Sequence, residues 1–185
     1  MQDKILKIVQ NITPFDEMEQ NHLSDTIRWI KSGSELFRIK KPDTPPKHLV
    51  SYFVLIDSKE NKILLVDHIK AQLWVPTGGH VELNENPKIT VEREIVEELN
   101  IKADFVSEQP FFITQSVTVG LAAGHIDVSL WYVLNGNSNL TLRYDAGEFN
   151  GYKWFDYDEV LGTPIDKFDP HLHRFVQKWI LIQNK

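Results

Sequence analysis

Hydrophobic and polar positions follow two periods along this chain, and the change of period divides it. Residues 1–46 carry helical spacing. Ile5, Leu6, Ile8 and Val9 make a short amphipathic piece over Asp3–Val9. Thr13-Pro14-Phe15-Asp16 reads as a second helix start, with Thr13 as N-cap, Pro14 at the first helical position and Asp16 closing a capping box. Phe15, Met18, Leu23, Ile27 and Ile30 then recur at helical intervals as far as Ser32-Gly33-Ser34. Lys40–Pro46, rich in proline, is a rigid non-helical connector.

From His48 the pattern turns strand-like. Leu49–Ile56 is an apolar run, Asp57–Asn61 a turn, and Lys62–Ile69 the partner strand. Leu73-Trp74-Val75-Pro76 leads into a glycine turn at Gly78-Gly79. Phe105–Val106 and Phe111–Val119 are strand-like. Residues 125–134 alternate: Ile126, Val128, Leu130, Tyr132 and Leu134 face one way, and His125, Asp127, Ser129, Trp131 and Val133 the other. Leu140–Tyr144 is a candidate strand and Tyr152–Phe155 a short one. Asp156 or Asp158 caps a short helix through Leu161, and Asp169-Pro170 opens a last helix with a stripe of Leu172, Phe175, Val176, Trp179 and Ile180. This order predicts a mixed sheet packed between helices. Residues 47–185 would form one domain, and 1–46 a helical extension that either caps its core or serves as a dimer contact or lid.

One stretch departs from this plain alternation. From Asn86, an N-cap with Pro87 behind it, a helix runs to Leu99 with Val91, Ile95 and Leu99 as its apolar stripe. Asn100 sits where a left-handed residue would close it. Glu94, Glu97 and Glu98 project together from another face, with no Lys or Arg on that face, since Arg93 points roughly a quarter-turn away. Clustered carboxylates without Cys or His favour a hard cation, Mg²⁺ or Mn²⁺; the plainer alternative is a solvated acidic face.

The order of these residues adds a second argument. Gly79, Glu85 and Arg93-Glu94-Ile95-Val96-Glu97-Glu98-Leu99-Asn100-Ile101 follow the spacing G-x5-E-x7-R-E-U-x-E-E-x-G-U, in which U is a bulky apolar residue. The stretch resembles the Nudix box of the MutT-like hydrolases, with Asn100 in place of the pattern's last glycine. The resemblance implies an α/β fold, an α/β/α sandwich with a mixed sheet. It also implies Mg²⁺-dependent hydrolysis of a nucleoside diphosphate linked to another moiety, by water attack at phosphorus. Glu94, Glu97, Glu98 and the Gly79 carbonyl match metal ligands, and Glu85 and Arg93 match a pair that braces the loop against the helix. The general base would be a box glutamate, Glu94 or Glu97, or Glu148 on a later loop. Glu82 occupies a commonly acidic loop position. His80, His125 and Asp127 are candidate substrate contacts, with a surface loop histidine and a polar strand face as alternatives. Phe112, Trp131, Tyr144 and Trp154 either stack a base or pack the fold.

Composition then removes competitors. The 185-residue chain has no cysteine, which excludes a disulfide framework, a thiolate metal site and the cysteine-dependent isomerase chemistry found on Nudix-like folds. A net charge of −6 argues against a broad nucleic-acid surface, and it means that a phosphate-bearing substrate needs local help from a metal or from placed basic groups; the partner that the resemblance implies is a small nucleotide. No segment reads as a signal peptide or membrane span, so the expected location is cytoplasmic. A catalytically silent domain that senses a nucleotide is the competing function, although every box carboxylate is present.

Overall fold

Alternation along each strand sorts apolar side chains to opposite faces, and this sorting sets the architecture. In the computed structural model, which describes residues 1–40, 44–122 and 124–183, seven strands form one mixed sheet. They are β1 (Lys47–Asp57), β2 (Lys62–His68), β3 (Leu73–Val75), β4 (Thr77–His80), β5 (Phe112–Val117), β6 (Ile126–Asn135) and β7 (Phe149–Asp156). The main path runs β3-β2-β1-β6-β5, while β4 pairs with β1 and β7 with β2. β1 and β6 are parallel, and the other pairings are antiparallel. Of the 40–46 connector, residues 41–43 lie outside the described residues.

One face of the sheet, with Phe53, Leu55, Leu64, Val66, Val128, Leu130 and Tyr132, packs against α1 (Gln2–Gln10), α2 (Glu17–Lys31) and α3 (Pro87–Leu99). The opposite face, with Val54, Ile56, Ile63, Leu65, Trp131 and Val133, packs against α4 (Tyr157–Gly162) and α5 (Leu172–Gln183). The expected sandwich is therefore present, and so is the alternation read from residues 125–134. Ile5, Val9, Leu23 and Ile30 of the first two helices belong to the same apolar cluster as Leu49 and Phe53 of the sheet.

Three expectations are corrected. The second helix begins at Glu17, not at Thr13-Pro14, because Asp16 is the cap: its Oδ1 accepts from Glu19 N at 2.8 Å. Glu19 reaches back to Phe15 N at 2.6 Å, and the Thr13 carbonyl accepts from Lys178 Nζ at 2.7 Å. Met18 is 49% exposed, so the buried line runs through Glu19, Leu23, Thr26 and Ile30. Gly78-Gly79 is not a turn but the middle of β4, where Gly78 at φ 148 presses on the backbone of Ser51 and leaves no room for a Cβ. Leu140–Tyr144 forms no strand; it is irregular chain, and Leu142 N donates to the Tyr152 hydroxyl at 2.9 Å.

β5 forms one end of the sheet path, and α2 lies along it. Glu19 Oε1 accepts from Ile113 N at 3.2 Å, and His22 Nδ1 accepts from Gln115 N at 3.4 Å. The two amides are two residues apart on one side of the strand, the side an eighth strand would pair with. Gln115 Nε2 adds bonds to Asp25 Oδ2 and Thr26 Oγ1.

The ends of α3 are as the sequence reads. Asn86 Oδ1 accepts from Lys88 N at 3.0 Å, Pro87 opens the helix, and Asn100 closes it at φ 53, ψ 37. Asn tolerates this conformation and Gly prefers it, but Gly gives up more freedom on folding. Asn100→Gly is therefore expected to leave turnover unchanged and to raise stability slightly, by under ~1 kcal/mol. A clear drop in melting temperature would show that the Asn side chain supports the loop.

Candidate active site

α3 and β4 meet at the floor of an open cleft of about 1850 Å³, lined among others by Gly79, Glu94, Glu97, Glu98 and Glu148. The apolar stripe Val91, Ile95 and Leu99 is fully buried against the sheet, and that fixes the rotation of the glutamates. Ser51 Oγ donates to the Pro87 carbonyl at 2.8 Å, fixing the start of the helix to β1.

The glutamates stand in unlike surroundings. Glu98 is 4% exposed, and its Oε2 accepts from Gly78 N at 3.1 Å. Burial, with Glu94 and Glu148 adding repulsion, pushes its carboxyl well above the usual range. Burial also raises Glu94, more than the adjacent Arg93 lowers it. The Glu97 side chain is 60% exposed. A Cβ at Gly79 would run into the Glu94 carboxylate, so the absence of a side chain there is what lets that carboxylate lie against the strand.

Arg93 corrects the expectation that no cation shares this face. Its Nη1 lies 2.6 Å from Glu94 Oε1 and 3.8 Å from Glu97 Oε2. A side chain of that length reaches across the quarter-turn that separates its Cα from the others. The rest of the guanidinium forks onto Glu85, Nε to Oε1 at 3.2 Å and Nη2 to Oε2 at 3.1 Å. Glu85 Oε2 also accepts from Thr90 Oγ1 at 2.7 Å and from Glu82 N at 3.1 Å. Burial works to raise Glu85, but the Arg93 fork and these bonds outweigh it, and the net shift is downward. Glu85 and Arg93 thus join the 81–86 loop to the helix with charge-assisted bonds. Glu82 lies exposed on that loop.

Glu148 enters from the loop before β7. Asp145 N donates to the Glu98 carbonyl at 2.9 Å, and the Glu148 carbonyl accepts from Ile69 N at 3.0 Å, so both ends of the loop are anchored. Its carboxylate is close enough to raise both Glu94 and Glu98.

His80, His125 and Asp127 also line the cleft, where they meet His48. Burial, with Arg38 beside it, pushes His80 down to about 3. Sequence reasoning passed over His48, Arg38, Lys40, Lys70 and Asp169. Arg38, Lys40 and Lys70 supply positive charge to the rim, and Asp169 is a buried carboxyl raised to about 7 by burial and by Asp127. Only the need for basic groups near a phosphate pointed toward the first three. Two stacking candidates are removed: Phe112 and Trp131 are fully buried in the α5-side core. Tyr144 and Trp154 are not among the residues lining the cleft.

Residues 47–179 match the NUDIX domain. The m7GpppN-mRNA hydrolase NUDT17 of Danio rerio is 32% identical over 127 residues, and the match takes in 60% of this chain and 42% of that protein. The chain thus spans less than half the length of this curated relative. A NUDIX family hydrolase from Clostridium perfringens superposes with a TM-score of 0.56 at 20% identity, over 73% of this chain and 97% of that one. The NUDIX domain of Shewanella oneidensis NrtR, solved with ADP ribose, gives 0.57 at 16% identity over 73% and 87%. These structural likenesses show the fold. Among the described residues, no helix is long and apolar enough to cross a membrane.

Proposed function

Since this chain belongs to the Nudix family, we propose that it is a Mg²⁺-dependent pyrophosphohydrolase. It would cleave a nucleoside diphosphate derivative by water attack at phosphorus, in the cytoplasm, with residues 47–185 as the catalytic unit. The observation that carries this reading is the meeting of Glu94, Glu97, Glu98, Gly79 and Glu148 in one cleft.

The donor set fits a hard divalent cation. It is all oxygen, and it includes a buried carboxyl whose ionised form burial and three neighbouring acids oppose. Glu94, Glu97, Glu98 and the Gly79 carbonyl are the groups that would hold it, with Mn²⁺ as an alternative ion. When bound, such a cation neutralises phosphate oxygens and lowers the pKa of an attacking water. Around it, Arg93 keeps the Glu94 carboxylate oriented and Glu85 keeps Arg93 in place. Gly78 N holds Glu98 in one rotamer. Glu148, or an exposed box glutamate, takes the proton from water. Arg38, Lys40 and Lys70 stand on the rim, where a chain of phosphates would lie.

The substrate class is a nucleotide with an internal phosphoanhydride. Nucleoside triphosphates, sugar nucleotides, CDP-alcohols and capped dinucleotides form the panel to test, the last because a relative is named as a cap hydrolase. Turnover of a substrate from this panel is expected to require added Mg²⁺ or Mn²⁺ and to cease in excess chelator. Full turnover in chelator would overturn the reading.

A further inference from the structure

We propose that His48, His80, His125 and Asp127 form a second metal site, independent of the glutamates, that binds one Zn²⁺ and fastens β1, β4 and β6 together beside the cleft. One ligand atom from each of the four lies within 4.8 Å of every other. Strand register brings them there. His48 pairs with Asp127 across the parallel β1–β6 ladder, and His80 pairs with Val50, two residues along β1 from His48. His125 precedes Asp127 by two residues. All four therefore share a sheet face with Tyr52, Val54 and Trp131, the face opposite the one that α3 covers.

The ligand chemistry differs from that of the glutamate cluster. Three imidazoles and a carboxylate suit zinc or a similar transition ion, whereas Mg²⁺ prefers oxygen alone. In tetrahedral zinc with bonds of about 2.0–2.1 Å, ligand atoms stand roughly 3.3 Å apart. Asp127 Oδ1 is 3.4 Å from His48 Nε2 and 3.2 Å from His125 Nε2, so two edges of such a tetrahedron already exist.

The proton arrangement points the same way. His48 Nδ1 lies 2.9 Å from the Pro45 carbonyl, which can only accept, so Nδ1 carries the hydrogen. In the neutral ring, Nε2 then turns a lone pair toward Asp127 Oδ1, another acceptor. Both atoms are buried, and neither has a hydrogen-bond partner among the described residues. Two acceptors facing each other at 3.4 Å repel, and a cation between them removes the repulsion. A histidine whose second nitrogen donates to a backbone carbonyl is the usual arrangement at a metal. Among the described residues, Arg38 is a donor that must give way, its Nη1 being 3.1 Å from His80 Nε2. Four protein ligands complete the shell, so the ion is structural.

The test is metal content. Protein purified without chelator or a metal-affinity column, then dialysed against excess Mg²⁺, is expected to retain roughly one zinc per chain. X-ray absorption at the zinc edge should show only nitrogen and oxygen neighbours, near ~2.0 Å. Asp127→Asn and His125→Gln should each lower retained zinc at least about fivefold, while Glu97→Gln and Glu98→Gln keep it. The proposal fails if the parent retains no zinc and shows no saturable uptake when titrated with Zn²⁺. It fails equally if the glutamate variants lose the zinc and the other two keep it. The parent's own content and spectrum decide the matter if either of those two variants misfolds.

Discussion

Glu98→Gln is expected to lower turnover by at least ~1000-fold, and Glu97→Gln by a comparable factor, with the fold intact. Gln has nearly the shape of Glu, and its amide oxygen can still accept from Gly78 N, so the packing around position 98 survives. What disappears is one full negative charge and a strong oxygen ligand. A cation at such a site contributes several kcal/mol to the transition state, and each ~1.4 kcal/mol is tenfold in rate. Burial and three neighbouring acids already oppose ionisation of Glu98, so metal-free stability should hold or rise when the charge is removed. A solvated acidic face predicts no kinetic change from either substitution. Steady-state kinetics on a proven substrate, paired with melting curves, separates the two. If both variants stay within about threefold of the parent, the glutamates are not ligands.

Glu19→Ala is expected to cost about 3–5 kcal/mol of stability while leaving the cleft chemistry untouched. Glu19 is fully buried, and Lys178 of α5 is nearly so. Lys178 Nζ donates to both Glu19 oxygens, at 2.8 and 3.1 Å, and also to the carbonyls of Thr13 and Phe111. Burial raises the Glu19 pKa and lowers that of Lys178, each against the pull of its partner. Neither charge therefore tolerates being left alone. Removing Glu19 strands the ammonium among carbonyls and frees the Ile113 amide as well. Replacing both partners by apolar residues, Glu19→Leu with Lys178→Met, should recover much of the loss, because the desolvation cost vanishes with the pair. Denaturant unfolding checks both; a loss below ~1 kcal/mol for the single variant would show that water reaches the lysine.

Features set by local chemistry were legible in the sequence. The caps of α3 and its apolar stripe need only neighbouring residues, and the alternation in β6 reflects two cores that differ by one residue of register. Features set by distant partners were not. The Thr13 carbonyl is held by Lys178, 165 residues away, while the cap itself falls to Asp16. Gly78-Gly79 reads as a turn until β1 is known to lie alongside, when the same residues become a strand that only glycine can complete. The cation on the glutamate face was hidden because helical projection follows Cα atoms and an arginine does not stop there. His48 had no visible role in the chain because its companions come from two other strands, and register is not written in any one of them.

The contact between α2 and β5 covers an edge of the sheet. A terminal strand with unspent amides is a template for a foreign strand, and proteins commonly blunt it with charge, proline or a covering segment. Here a carboxylate and an imidazole from the first two turns of α2 occupy alternate amides of β5, as the carbonyls of a neighbouring strand would. A chain trimmed to residues 47–185 would keep every box glutamate yet offer Ile113 and Gln115 to whatever strand came first. Removal of the N-terminal helices is therefore expected to make the trimmed domain turn cloudy at concentrations where the full chain stays clear, as turbidity against concentration would show.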